Sequence, residues 1–138
     1  MVDDKIKKDL IEKIKKGTFN LERDFKNYLN LNKEYSETDP DFIDFIKDIQ
    51  KVFQVKLSDV DFNFWVDVSN GKVEYDFKIH PDPDVVILMI KKVLTDFILE
   101  KIDPAISYMA GKINIIGSVS DALLLGKLLK YSVTKMLE

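Results

Sequence analysis

Apolar side chains recur about every fourth residue through the first fifty positions of the chain and every second residue through the next thirty. Val2, Ile6, Leu10 and Ile14, with Ile11 beside them, predict an amphipathic helix from Asp3 to Lys16, and Gly17 is its natural stop. The spacing returns with Leu21, Phe25, Tyr28 and Leu29, so a second helix is expected from Asn20 to about Leu31, with the polar stretch NLNKEYSETD as the separator after it. Asp39 before Pro40 reads as an N-cap and first helical position, where a missing N–H costs nothing. The helix it opens turns Phe42, Phe45, Ile46 and Ile49 inward and Asp41, Asp44 and Asp48 to water.

From Lys51 the period falls to two. Phe53, Val55 and Leu57 alternate with Gln54 and Lys56; Phe62, Phe64, Val66 and Val68 alternate with Asn63 and Asp67; Val73, Tyr75, Phe77 and Ile79 alternate with Glu74, Asp76 and Lys78. Such alternation belongs to antiparallel strands covered on one face. Asn70-Gly71 between the second and third marks a type I′ hairpin, whose two central residues both need positive φ. After the loop His80-Pro-Asp-Pro83, Asp84 to about Met89 predicts a fourth strand, and its unbroken apolar run suggests burial on both faces. A helix over Lys91–Glu100, a short one from Pro104 to near Gly111, a fifth strand over Lys112–Ile116 and a final helix from Ser118 or Ser120 toward Glu138 complete the pattern. The order predicts an α+β fold with helices on one face of an antiparallel or mixed sheet, and the reading adopted is a five-stranded, largely antiparallel one.

On a helical wheel Leu124, Leu125, Leu128, Leu129, Tyr131 and Met136 share one arc of the last helix, while Leu123 falls outside it near Lys127. That leucine must meet another surface, a ligand or solvent. Gly126 in a helix interior costs about 1 kcal/mol against alanine unless space is needed there, and close helix-on-sheet packing or room for a ligand would each supply the reason.

A chain of 138 residues, 46% apolar and 33% charged, is long enough for one domain with a real core. Its net charge of −3 is uneven, with six lysines against four acids in residues 1–17 and eight basic against fifteen acidic groups in 18–84. With a single arginine, Arg23, and no basic stripe, nucleic acid is not expected as a partner. The longest apolar run, Val85–Ile90, is far short of the roughly 20 residues of a membrane span, and the N-terminus lacks a signal peptide's apolar core, so a cytoplasmic location is the default.

Catalytic and metal chemistry finds few candidates. There is no cysteine, and His80 is the single histidine, beside a proline, which makes a zinc site or a histidine-activated nucleophile improbable. Asp59-x-Asp61-x-Asn63 imitates the start of a calcium loop, yet Phe64 stands where that loop needs glycine and Asn70 where it needs glutamate. Asp82 and Asp84 around Pro83 read as a turn, and Gly111 and Gly117 bracket a strand instead of following one, which excludes a dinucleotide loop. The reading is of no enzyme and no cofactor.

The order KVFQVKLSD (51–59), FWVDVSNGKVEY (64–75), DVVILM (84–89), KIDPAISYMAGKINIIG (101–117) and SDALLLGKLL (120–129) resembles the sterol-carrier-protein (sterol-transfer) family of small lipid-binding domains. The resemblance covers roughly residues 51–130, more loosely 39–50, and hardly touches 1–38, which sets an N-terminal helical extension (1–38) apart from a sterol-carrier-like domain (39–138). Gly111, Lys112, Gly117 and the Asp103-Pro104 turn match the family's pattern, whereas Glu100 stands where a glycine is usual and Ile116 where an outward lysine is expected. The resemblance implies a non-enzymatic carrier with an apolar tunnel between sheet and helices for an acyl chain, acyl-CoA, sterol or isoprenoid. Candidate tunnel residues are Phe64, Val66, Phe77, Ile79, Met109, Ile113, Ile115, Leu124, Leu125 and Leu128. The alternative is an interaction or homodimerisation module with no lipid cargo. A third reading has the lysines of the first helix touching anionic membrane surfaces transiently, weakened by Asp3, Asp4, Asp9 and Glu12.

Overall fold

The computed structural model, which describes residues 2–138, begins five of its six helices at a short polar side chain that accepts from the first free N–H groups. Asp3 caps α1 (Asp4–Lys16), Asn20 caps α2 (Leu21–Thr38), Asp39 caps α3 (Pro40–Ile46), Asp103 caps α5 (Pro104–Met109) and Ser118 caps α6 (Val119–Met136). Helix α4 (Lys91–Ile98) alone lacks a side-chain cap. Between them run β1 (Lys51–Leu57), β2 (Asn63–Ser69), β3 (Lys72–Asp76), β4 (Val85–Met89) and β5 (Asn114–Ile116).

The strands form one sheet in the order β3-β2-β1-β4-β5, antiparallel throughout except for the parallel pair β1–β4. Alternation sends Phe53, Val55, Phe64, Val66, Val73, Val85 and Ile87 to the face that the helices cover, and all are buried. Asn70 and Gly71 turn the β2–β3 hairpin with φ of 53° and 72°. Helix α2 lays Phe25 on Phe64 with ring centroids 4.7 Å apart, and the Tyr28 hydroxyl donates to the carbonyl of Leu129 on α6 at 2.6 Å. One continuous core thus joins the helices of residues 1–38 to the sheet and to α6.

Several elements differ from the sequence expectation: α3 stops at Ile46, short of Ile49, β5 starts at Asn114 and leaves Ile113 outside the ladder, β4 has Val86 and Leu88 only half-buried on its outer face, and two further departures shape the packing. Helix α2 continues to Thr38 instead of stopping near Leu31, because the polar residues of the expected separator find partners. Glu34 is buried, accepting from the Val2 N–H at 2.8 Å and pairing with Lys7 at 2.5 Å, and Asn32 donates to the Leu128 carbonyl and to the Ser132 hydroxyl of α6. Strand β3 ends at Asp76, so Phe77 and Ile79 leave the ladder. There the chain becomes a strap that crosses the other face of the sheet to reach β4. Gln54, fully buried beneath it, donates to the Lys78 carbonyl and accepts from the His80 N–H at 2.7 Å, while His80 meets Trp65 edge to face. Asp84 closes the strap by accepting from the Val52 N–H at 2.7 Å.

The α1–α2 corner is held by Asp24, which accepts from Lys13 at 3.0 Å, from the Asn20 N–H at 2.9 Å and from Arg23. Burial pushes its carboxyl upward, but these donors outweigh it and hold the pKa at about 2, below the ordinary 3.8. A carboxylate depressed by folding stabilises fully above its unfolded value and loses that contribution as pH falls through its folded one. The wild type is therefore expected to lose about 2 kcal/mol from this group between about pH 4 and pH 2. Denaturant melts across that range should show Asp24→Asn less stable at neutral pH and less sensitive to acid. Glu100, at the end of α4, has φ of 58°, the left-handed region where a side chain costs about 1–2 kcal/mol. Glu100→Gly is expected to raise the unfolding free energy by about 0.5–1 kcal/mol, since glycine's own entropic cost offsets part of the relief.

Candidate functional site

The last helix offers Ala122, Leu125 and Leu129 on one stripe toward the inner face of β4 and β5. Opposite them stand Val55, Ile87 and Ile115 from the sheet, and Val93, Leu94 and Phe97 from α4 close the side. Pro104 and Tyr108 of α5 form a roof, with Leu123 and Met89 at the margin. Together these residues line a partly open apolar cavity of about 40 Å³, whose walls carry no charged side chain and one polar one, the Tyr108 phenol.

The roof rests on Gly126. A Cβ built there would lie 3.1 Å from the Pro104 ring, so the glycine permits a close helix-on-helix crossing of α5 over α6. The partner is thus another helix and not the sheet. Leu123, which the wheel leaves outside the inward arc of α6, is half-buried and lines this cavity.

Of the ten residues expected around a tunnel, Ile113, Ile115 and Leu125 line the cavity. Phe64, Val66 and Leu128 are buried in the core under α2 and α6, and Leu124 packs half-buried against that core. Phe77, just past β3, packs its ring against Phe25 and Phe62 at the edge of the aromatic core, Ile79 lies on the strap 52% exposed, and Met109 points to solvent at 84%. Most of the actual lining escapes sequence reasoning, because Val55 and Ile87 meet only through the parallel β1–β4 pairing. The amphipathic spacing of Val93, Leu94 and Phe97 was a signal for the α4 wall.

Polar groups elsewhere are engaged in holding the fold. The His80 ring accepts from the Asp82 N–H at 3.0 Å, Asp59 accepts from the Lys91 N–H at 2.9 Å, and Asp103 accepts from the Ala105 and Ile106 N–H groups. Asp39, depressed by Lys135 at 3.0 Å, also accepts from the Tyr131 hydroxyl, whose own pKa burial and this carboxylate push up to about 12. Among the described residues no cluster of three or more His, Asp or Glu could hold a metal ion, and no helix is long and apolar enough to cross a membrane.

Comparison with known proteins places this architecture. The SCP-2 sterol transfer family matches residues 25–130. Similar solved structures include sterol carrier protein domain 2 of Helicoverpa armigera (20% identity, 78% of this chain and 87% of that one, TM-score 0.60). A UbiJ-SCP2 ubiquinone synthesis protein is similar over 75% of this chain and 85% of its own (13% identity, TM-score 0.60). Palmitated SCP2L2 from Aedes aegypti is similar over 74% and 90% (20% identity, TM-score 0.53). These likenesses concern the fold. No curated protein sequence matches the chain.

The roof contact can be tested directly. Gly126→Leu, forcing a branched side chain into Pro104, should destabilise by about 1–3 kcal/mol in thermal or denaturant unfolding. Gly126→Ala should shift stability by less than about 1 kcal/mol, because better helix propensity offsets a crowding that a few tenths of an ångström relieve.

Proposed function

The chain belongs to the SCP-2 sterol transfer family, and on that footing we propose that it is a non-enzymatic carrier that shields the hydrocarbon portion of a lipid between sheet and helices. The observation that carries the reading is the cavity beneath α5: its walls are hydrocarbon apart from one phenol, and its roof is a six-residue helix seated on a glycine.

At about 40 Å³ the cavity has room for a water molecule or two and not for a long chain. Loading therefore requires the roof to lift. Burying a sixteen-carbon chain gains on the order of 10 kcal/mol gross, enough to offset loss of the Pro104–Gly126 contact and the ordering of the ligand. Ile113, Ile115 and Leu125 would meet the chain first, with Leu123 and Tyr108 beside them. That a protein of the same fold is described as palmitated favours an acyl cargo, and the ubiquinone synthesis protein favours an isoprenoid as the next class to try. No catalytic constellation is needed for such a role.

Delipidated protein titrated with a pyrene-labelled sixteen-carbon fatty acid should show saturable one-to-one binding. Ala122→Phe, which fills the cavity, and Leu125→Gln, which makes its wall polar, should each weaken it about tenfold or more, equivalent to roughly 1.4 kcal/mol. Native mass spectrometry of protein from its own host should find a stoichiometric lipid. An empty native protein with no saturable uptake would overturn the carrier and favour a cargo-free interaction module.

A further inference from the structure

The apolar cavity has a neighbour. Met89 and Val93, which line it, also line an open surface groove of about 490 Å³. Ile90 and Ile102 add apolar surface to that groove, while Lys92, Asp96, Lys112 and Asn114 add polar groups. Ile113 lines the cavity, yet the residues before and after it, Lys112 and Asn114, line the groove. Both attachments of the roof border the groove as well, through Ile102 ahead of α5 and Gly111 behind it.

We propose that this groove is the head-group subsite of the cargo, in which an anionic head, a carboxylate or a phosphate monoester, rests against Lys112 while the hydrocarbon chain lies beneath α5. The subsite presupposes the carrier reading and adds to it the place and the charge of the polar end. Displacement of α5 moves both of its attachments, so the opening that enlarges the cavity also joins it to the groove past Met89 and Val93. The cavity wall has no charged side chain, and desolvation excludes an unpaired ion from such a space, so the head of an amphiphile stays outside it.

The one acid of the groove, Asp96, is held by Lys92 at 2.8 Å, and Asp59, just past β1, accepts from the Lys91 N–H. Lys112 has no carboxylate within ion-pairing distance among the described residues, so the groove carries one cation in excess. Other surface lysines are equally free; Lys112 is set apart by standing one residue from a cavity wall. The groove on the other side of α5 meets the cavity only at Phe97 and holds Glu100 and Asp103 beside Lys101 and Lys130, which gives an anion no excess of charge there.

Calorimetric titration of delipidated protein with hexadecanoic acid, hexadecyl phosphate and hexadecanol separates head from chain. Lys112→Gln should weaken the anion that fits the groove, carboxylate or phosphate, by about fivefold or more and leave hexadecanol within about twofold. The position is read independently, because the chain has no cysteine of its own. Hexadecyl methanethiosulfonate, whose reactive group stands where the head would be, should modify Asn114→Cys about tenfold faster than Lys130→Cys in the other groove or Lys26→Cys on α2. A short methanethiosulfonate should modify all three at similar rates, since all three positions are exposed. Uptake of hexadecanol together with anions indifferent to Lys112→Gln, or faster capture at 130 than at 114, overturns the subsite and leaves the carrier standing. Uptake of none of the three ligands overturns both.

Discussion

The hydroxyl of Tyr28 is wholly buried, and an unsatisfied donor there would cost about 1–3 kcal/mol. Its bond to the Leu129 carbonyl therefore sets the height and rotation of α6 against α2. With that register fixed, Asn32 reaches Leu128 and Ser132, and the other stripe of α6 is left facing β4 and β5. The same helix is core on one side and cavity wall on the other. Its mixture of leucine, alanine and glycine follows from this double duty: Leu128 and Val133 fill space, Ala122 leaves some, and Gly126 lets α5 approach. The helices of residues 1–38 thus position the candidate site without touching it.

Where the environment of a segment is local, its residues betray its structure. The caps at Asp3, Asn20, Asp39 and Ser118, the Asn70-Gly71 turn and the two-residue period of β1 and β2 depend on neighbours a few positions away, and each is legible. The family pattern carried the fold class beyond what periodicity alone supports. Residues 30–39 look like a linker because Asn32, Glu34 and Ser36 are polar; only the presence of Lys7 on α1 and Ser132 on α6 lets them be buried in a helix. The cavity is harder still. Tunnel and core use the same side chains, and the register that sets Val55 beside Ile87 joins strands 32 residues apart. Leu123 and Gly126 were the visible traces, one leucine off its stripe and one glycine where a helix would rather have alanine.

Helix α5 separates two apolar worlds by a single turn of chain, with Tyr108 beneath and Met109 above. Its attachments are few: the Asp103 cap, the Lys112 N–H to the Ser107 carbonyl at 2.9 Å, and the proline on Gly126. Glu100, held at positive φ just before it, stores strain at the junction with α4. A short helix attached this lightly can be displaced while the main core stays intact.

The Tyr28–Leu129 bond spans 101 residues and the Asn32–Ser132 bond 100, so the two ends of the chain complete each other. The β2–β3 hairpin and the α1–α2 corner can form from local contacts, but parallel strand pairing and the closing of so long a loop come late and slowly. During synthesis, which proceeds from the N-terminus, Phe25 can meet Phe64 once β2 has emerged, but Tyr28 and Asn32 lack their partners until α6 follows. The charged face of α1 and α2 is the part of the molecule that keeps this unfinished intermediate apart from its copies, and the nascent chain, more than the folded domain, is where those charges matter.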